Sequence, residues 1–162
     1  MTGSRLFNYS PKNGRNWSMT QTFSFQKQKN GRLIKARLTQ GIFRGKLFEK
    51  WGERCMLTGI QNRALLIASH IKPWAEFKED RMNPENGLIL SPMYDKLFDR
   101  FLMSFNSQGE IQLSESVKRD SALMDKIDTK RHVIEVRSSG QRINLGWHLE
   151  QFRKIEKTRH ER

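Results

Sequence analysis

Cysteine and long apolar runs are scarce in this chain of 162 residues, and their scarcity excludes several classes of protein. The single cysteine, Cys55, excludes an internal disulfide and a zinc site built from paired cysteines. No apolar run approaches the length of a membrane span, and the polar N-terminus lacks the apolar core of a secretory signal. We therefore expect a soluble, cytoplasmic protein.

Acidic residues are nearly absent from the first 50 positions, which hold 11 Lys and Arg against the one acid Glu49. The other 112 residues carry 19 basic and 16 acidic side chains, so most of the net charge of +13 lies in the N-terminal third. Such an excess favours a polyanionic partner, most often nucleic acid. Five aromatic residues lie among these charges and suit either base stacking or a hydrophobic core: Phe7, Tyr9, Trp17, Phe23 and Phe25.

The patterning predicts two parts of unequal size. Thr22–Gln26 alternates polar and apolar residues as a half-buried strand does, and Lys29–Gly31 is a hairpin turn signal. Arg32–Leu38 is then the expected return strand. We accordingly divide the chain into a basic N-terminal arm and hairpin, residues 1–34, and a main domain, residues 35–162.

A helix with one apolar side is predicted at the start of the main domain. Thr39 is its expected N-cap and Gly52 its stop. Arg44, Lys46 and Lys50 lie on its other sides, where they can meet a phosphate backbone. Four residues at helical spacing form the apolar side: Phe43, Leu47, Phe48 and Trp51.

Short strands and helices of mixed type follow, and together they predict an α+β fold. Two apolar segments, Arg54–Gly59 and Leu65–Ala68, predict a buried hairpin that leads into His70. Ser91-Pro92 marks a helix start, with serine as N-cap and proline at the first helical position. Four further elements are predicted: a hairpin around Asn106–Gly109, a short helix and loop over 114–130, a strand over His132–Val136 and a helix from Leu145 to about Lys157.

Three polar residues, in the order His70, Asn86 and Asp95, suit the hydrolysis of a phosphodiester. That reaction needs a base for the attacking water and a cation for the charge on the phosphate. Histidine is a good base near neutral pH, and a carboxylate is a suitable ligand for Mg²⁺. Asn86 can bind backbone carbonyls and hold the loop that presents His70. Each residue alone would more often be structural, but the three together in a basic chain favour a phosphodiesterase site.

Six short segments together resemble the HNH endonuclease superfamily, and most of all its restriction-type and other defence nucleases. The resemblance implies a ββα-metal core, in which a hairpin and a helix hold one divalent cation. It also implies a metal-dependent DNA endonuclease with Mg²⁺ as the expected ion, Mn²⁺ as the alternative and no structural zinc. The segments span about residues 35–155: Gln40–Arg44, Arg54–Gly59, Ala68–Ile71, Asn86–Ser91, Leu97–Asp99 and Trp147-His148.

The resemblance implies a role for individual residues as well. His70 matches the general base of the motif, and Asn86 matches its middle, positioning asparagine. Asp95 falls at the third motif position, as a metal ligand. Ser69 stands where several relatives carry Asp or His as the other ligand, and Asp99, one turn after Asp95, is the possible substitute. The second ligand is therefore open between Ser69, Asp99 and neither.

The leading hypothesis is a restriction- or defence-type DNA endonuclease in which His70 activates the water. The alternative is a catalytically weak nucleic-acid-binding module with the same fold, which Ser69 and the basic arm favour. A basic interaction protein without a nucleic-acid function is a third reading. Double-strand cutting would require two active sites, which is compatible with a homodimer. Five cations are predicted to bind the nucleic acid: Lys27, Lys29, Arg32, Arg44 and Lys72.

Overall fold

The computed structural model describes residues 37–127, 134–136 and 138–161. The predicted arm and hairpin, residues 1–34, lie outside the described residues, and so do Lys27, Lys29 and Arg32. Within the described ranges, no helix combines the length and the hydropathy that crossing a membrane requires. The described residues from Leu38 onward belong to one packing unit.

The first described helix, α1, runs through residues 37–51 and buries the apolar side predicted for it. Gly52 ends the helix with a φ of 86°, a left-handed conformation that glycine adopts without strain. Thr39 is not the N-cap, because residues 37 and 38 are already helical. For the same reason, the predicted return strand does not continue to Leu38. Four side chains of α1 lie in the core: Phe43, Leu47, Phe48 and Trp51.

The central sheet pairs β1 (Ile67–His70) with β2 (Gly87–Leu90) in antiparallel register. His70 lies opposite Gly87, and Ile67 lies opposite Leu90. Gly87 allows α1 to pack closely on the sheet, since a Cβ atom there would lie 2.7 Å from side-chain atoms of Phe43 and Leu47. This close approach brings the ring of Phe43 to the end of the sheet where His70 lies.

The predicted hairpin between Arg54–Gly59 and Leu65–Ala68 is wrong. The first segment is a turn, in which the Cys55 amide donates to the Ile60 carbonyl at 2.8 Å. The Met56 amide donates to the Ile89 carbonyl at 2.8 Å, so the turn packs against β2. The strand that pairs with β1 is instead β2, which an alternation pattern could not single out because several short apolar segments compete for the same place.

Helix α2 (Pro92–Asp99) begins where the sequence predicts, with Ser91 as N-cap and proline at the first position. The Ser91 side chain makes no capping hydrogen bond, but its amide donates to Cys55 Sγ at 3.3 Å. Within the helix, Phe98 is buried in the core, Asp95 is half-buried and Asp99 is exposed. Together β1, β2 and α2 form the ββα unit, and the predicted α+β fold is confirmed.

The remaining elements cover the ββα unit. The predicted second hairpin is confirmed, and α5 is longer than predicted because it starts at Ser139. Of its three residues expected to dock, Phe152 is buried and Trp147 and Ile155 are half-buried. The described part of the predicted strand His132–Val136, residues 134–136, has no regular structure. These elements are β3 (Met103–Phe105), β4 (Ile111–Leu113), α3 (Glu115–Lys118), α4 (Ser121–Met124) and α5 (Ser139–His160).

Candidate active site

His70, the last residue of β1, is held by contacts on its ring and on one nitrogen. Its imidazole stacks on Phe43 with ring centroids 3.8 Å apart, and it meets Trp74 edge-on at 5.6 Å. Its Nε2 atom lies 3.0 Å from the carbonyl oxygen of Arg81. A carbonyl oxygen can only accept, so Nε2 carries the hydrogen, and in the neutral ring Nδ1 keeps its lone pair.

The protonation state of His70 follows from its surroundings. Burial lowers the pKa of His70 below its ordinary value of 6.5, and the hydrogen bond to the Arg81 carbonyl raises it by a smaller amount. The ring is therefore neutral at pH 7. A neutral imidazole with its hydrogen fixed on Nε2 can accept a proton at Nδ1, which is what a general base must do.

Asn86 is fully buried and holds the loop that follows β1. Its Oδ1 accepts the Lys72 amide at 2.8 Å, and its Nδ2 donates to the carbonyls of Lys72 and Asp80, both at 3.3 Å. Asp80 directly precedes Arg81, whose carbonyl orients His70. Asn86 thus makes the backbone contacts that the sequence suggested, while its importance for catalysis stays a prediction.

We expect Asn86→Ala to destabilise the fold and to slow catalysis. The substitution removes three hydrogen bonds, and a buried backbone group left without a partner costs about 1–3 kcal/mol. Asn83→Ala is the matched control, because Asn83 is a nearby asparagine that is only half-buried; its side chain accepts from the Glu85 amide at 3.0 Å and donates to the Asp80 carboxylate at 3.3 Å. Urea unfolding should show a larger loss of unfolding free energy for Asn86→Ala. Equal losses for the two variants would contradict this role.

The same loop is fastened by both flanking helices. From α1, the Trp51 indole donates to the Pro84 carbonyl at 2.9 Å. From α5, the side-chain amide of Asn144 donates to the Glu85 carbonyl at 3.0 Å. Gly140 lies close to the side chain of the same glutamate, since a Cβ atom there would lie 1.6 Å from a carboxylate oxygen of Glu85. The loop that carries the Arg81 carbonyl is therefore held in place by three parts of the fold.

Ser69 and Asp95 form a pair beside His70. The Ser69 hydroxyl donates to Oδ1 of Asp95, and this hydrogen bond joins β1 to α2. Both residues line a cleft of about 440 Å³ together with His70 and Asp99. Asp99 is exposed, and its carboxylate lies 3.9 Å from the Lys96 ammonium group. The cleft therefore collects the predicted base and all three candidate metal ligands.

The chemistry of the donor atoms in this cleft determines which kind of cation could bind there. Among the described residues, no three His, Cys, Asp or Glu side chains are grouped so that they could hold a metal ion. What the cleft offers is an oxygen pair, the Asp95 carboxylate with the Ser69 hydroxyl in contact with it. A hard cation can bind through one or two carboxylates and complete its shell with water and substrate phosphate. The donor set fits a cation of that kind.

The comparison with known protein families bears directly on this cleft. Residues 55–106 match the family model described as HNH endonuclease. This segment is similar to the HNH endonucleases. The matched segment includes β1, β2 and α2, and with them His70, Asn86 and Asp95. The superfamily inferred from the sequence motifs is thereby confirmed, and the family's substrate is nucleic acid. A comparison with curated proteins found no match.

Two of the predicted nucleic-acid-binding cations, Arg44 and Lys72, lie within the described residues. The Arg44 guanidinium donates to the carbonyls of Leu66 and, at 2.5 Å, of Arg63. The Lys72 ammonium lies 3.2 Å from the Asp80 carboxylate, and its side chain is only 16% exposed. Both cations thus hold the loops on either side of β1. Phosphate binding by either would require exchange of these contacts, and it stays a prediction.

The structure also shows contacts of His70 that sequence reasoning missed. Phe43 was predicted only as a core residue, yet its ring supports the imidazole of His70. Arg81 contributes through its backbone carbonyl, and no sequence signal marks such a contact because every residue has a carbonyl. The apolar side of α1 indicated that Phe43 is buried, but it could not indicate the contact with His70, which lies 27 positions further along the chain.

His148, which the motif comparison included without a role, connects α5 to α2. Its Nε2 donates to the Phe98 carbonyl at 3.2 Å, and its Nδ1 lies 2.9 Å from the Ser104 hydroxyl. The ring stacks between Phe98 and Phe101, at 3.7 and 4.5 Å between centroids. Burial lowers the pKa of His148 to about 3, so the ring is neutral. His148 thereby holds the C-terminal end of the helix that carries Asp95.

Proposed function

We propose that the chain is a metal-dependent DNA endonuclease whose general base is His70. The observation that carries this proposal is the state of that imidazole. It is neutral, its one N–H hydrogen is on Nε2 and is donated to the Arg81 carbonyl, and the ring lies beside the Ser69–Asp95 pair. The similarity of the matched segment to the HNH endonucleases supports the proposal. The net charge of +13 suits a polyanionic substrate.

In the proposed reaction, Nδ1 of His70 takes a proton from a water molecule as the water oxygen attacks the phosphorus. The bond from phosphorus to the 3′ oxygen breaks, which leaves a 5′-phosphate, and the departing 3′ oxygen takes a proton from a solvent water molecule to become the 3′-hydroxyl. The imidazolium that forms is stabilised by its Nε2–H bond to the Arg81 carbonyl. Asn86 keeps that carbonyl in place and acts as a positioning residue.

The remaining requirement is neutralisation of charge on the phosphate and on the leaving oxygen. A divalent cation, Mg²⁺ in preference to Mn²⁺, would supply it. Asp95 is the residue proposed to hold the ion, with Ser69 beside it as a second oxygen donor and Asp99 as the substitute on the same helix. DNA as the substrate, a restriction or defence role, and a homodimer for double-strand cutting rest on the motif resemblance.

Metal removal and an aspartate substitution test this proposal together. The full chain should nick supercoiled plasmid with Mg²⁺, and EDTA should abolish nicking until excess Mg²⁺ is restored. Asp95→Asn keeps an oxygen for Ser69 but removes the negative charge. Because even outer-shell changes at metal sites cost about 10- to 100-fold, we expect Asp95→Asn to lower the nicking rate by at least about tenfold.

Asp99→Asn is the matched control, since it removes the same charge one turn along α2. Its rate should stay close to that of the unmodified protein. A larger loss for Asp99→Asn than for Asp95→Asn would move the metal to Asp99. Nicking that continues at full rate in EDTA would contradict metal dependence.

The small number of acidic ligands in the cleft favours a second candidate function, a nucleic-acid-binding module with weak catalysis. Ser69 occupies a position at which a charged or imidazole ligand would bind a cation more strongly. This candidate predicts DNA binding that weakens steeply with salt and no metal-dependent product. The plasmid assay described above separates the two candidates.

A further inference from the structure

A half-buried tryptophan, Trp74, lines the catalytic cleft, and the proposed hydrolysis has no use for it. Trp74 lies in the loop after β1, four residues beyond His70, and its ring lies edge-on to the imidazole at 5.6 Å. Pro73 lines the cleft next to it. The cleft thus combines the polar Ser69–Asp95 pair with an apolar aromatic wall.

Arg81 fixes the position of this tryptophan in two ways. Its guanidinium carbon lies 4.8 Å from the centroid of the Trp74 ring, and its Nε donates to the Trp74 carbonyl at 2.7 Å. The carbonyl of the same residue orients His70. One loop residue therefore holds both the catalytic base and the indole, so the ring is preorganised and has little freedom to lose when a ligand binds.

We propose that Trp74 is a stacking surface for a nucleobase close to the phosphodiester that is cut; this inference rests on the proposed function of the cleft. Because the centroid of the Trp74 ring lies 5.6 Å from that of the imidazole, a base stacked on it would belong to a nucleotide close to the attacked phosphate. Every base has a π face, so an aromatic side chain stacks with little regard to sequence. The base must be unpaired or unstacked, as in single-stranded or locally opened DNA.

Two strands with equal charge isolate the stacking contribution. The full chain, kept in EDTA, is titrated into a fluorescently labelled thymidine oligonucleotide and into an abasic strand with the same number of phosphates. Trp74→Ala should weaken binding of the thymidine strand by about 5- to 150-fold. It should change binding of the abasic strand by no more than roughly twofold, because the phosphate contacts remain. Trp74→Phe retains an aromatic ring and should retain most of the affinity.

Tryptophan fluorescence provides a second measurement that does not depend on an alanine variant. Stacking on thymidine should quench part of the emission, and this quenching should disappear in Trp74→Phe. Trp147→Phe is the matched control, because Trp147 is also half-buried but packs against Phe77 at 5.1 Å and does not line the cleft. Its quenching should match that of the unmodified chain.

Three results would overturn the stacking proposal. They are an equal loss of affinity for both strands, no loss for either strand, and quenching that is as large in Trp74→Phe as in the unmodified chain. Failure of the unmodified chain to bind either strand would overturn it as well. Nicking of plasmid DNA with Mg²⁺ would still support the nuclease proposal in each of these cases, so the two failures can be distinguished.

Discussion

His70→Ala should lower the rate of plasmid nicking by about 10²- to 10⁴-fold, the usual loss when a general base is removed. The alanine variant has no group that can take the proton from water at the position of Nδ1. The rate is measured as the first-order disappearance of supercoiled plasmid at saturating Mg²⁺. Unfolding curves should confirm that the variant remains folded, and a folded His70→Ala protein that cuts at the rate of the unmodified chain would contradict the assignment.

The pH profile gives the same assignment an independent readout. The base must be unprotonated, so the rate should rise with pH through the pKa of His70 and then level off. Burial lowers this pKa, so the midpoint of the rise should lie below the ordinary value of 6.5. The residual rate of His70→Ala should not show this rise with pH. Phe43→Leu keeps apolar volume but removes the ring beneath the imidazole. Its rate should still rise with pH, and it should lose less activity than His70→Ala.

Local signals in the sequence were reliable where a few neighbouring residues decide the structure. Ser91-Pro92 predicted the start of α2 because proline at the first helical position removes an amide that has no partner there anyway. Gly52 predicted the end of α1 because its left-handed conformation favours glycine. The second hairpin was found for the same reason, since its turn lies between its own two strands.

Contacts between distant segments could not be predicted in this way. The partner of β1 is β2, not the segment nearest before it, and β2 also packs closely against α1 at Gly87. The bond between Ser69 and Asp95 joins residues 26 positions apart, so the sequence left the second ligand open. The motif resemblance located both residues, because it carries information about tertiary structure that periodicity lacks. The Asp95→Asn and Asp99→Asn variants test which of the two carboxylates binds a cation.

His148 should make the fold sensitive to acid. Its pKa is about 3 in the folded chain and near the ordinary 6.5 when unfolded. Between these pH values the unfolded chain binds a proton that the folded chain excludes, so the free energy of unfolding falls as the pH falls. One such proton changes that free energy by about 1.4 kcal/mol per pH unit. The stabilisation is complete above pH 6.5 and is lost progressively as the pH drops toward about 3.

His148→Gln tests this prediction, because glutamine can donate to the Phe98 carbonyl and accept from Ser104 but does not titrate. Urea unfolding of both proteins between about pH 6 and pH 4 should give a slope of unfolding free energy against pH that is smaller in the variant by up to about 1.4 kcal/mol per unit. All other ionisable groups are the same in both proteins, so their contributions cancel in this difference. Ser104→Ala is the control, since it removes one hydrogen bond of His148 but keeps the imidazole, and its curve should be lower and parallel to that of the unmodified chain. Parallel curves for His148→Gln would instead mean that the buried imidazole is not what limits stability in acid.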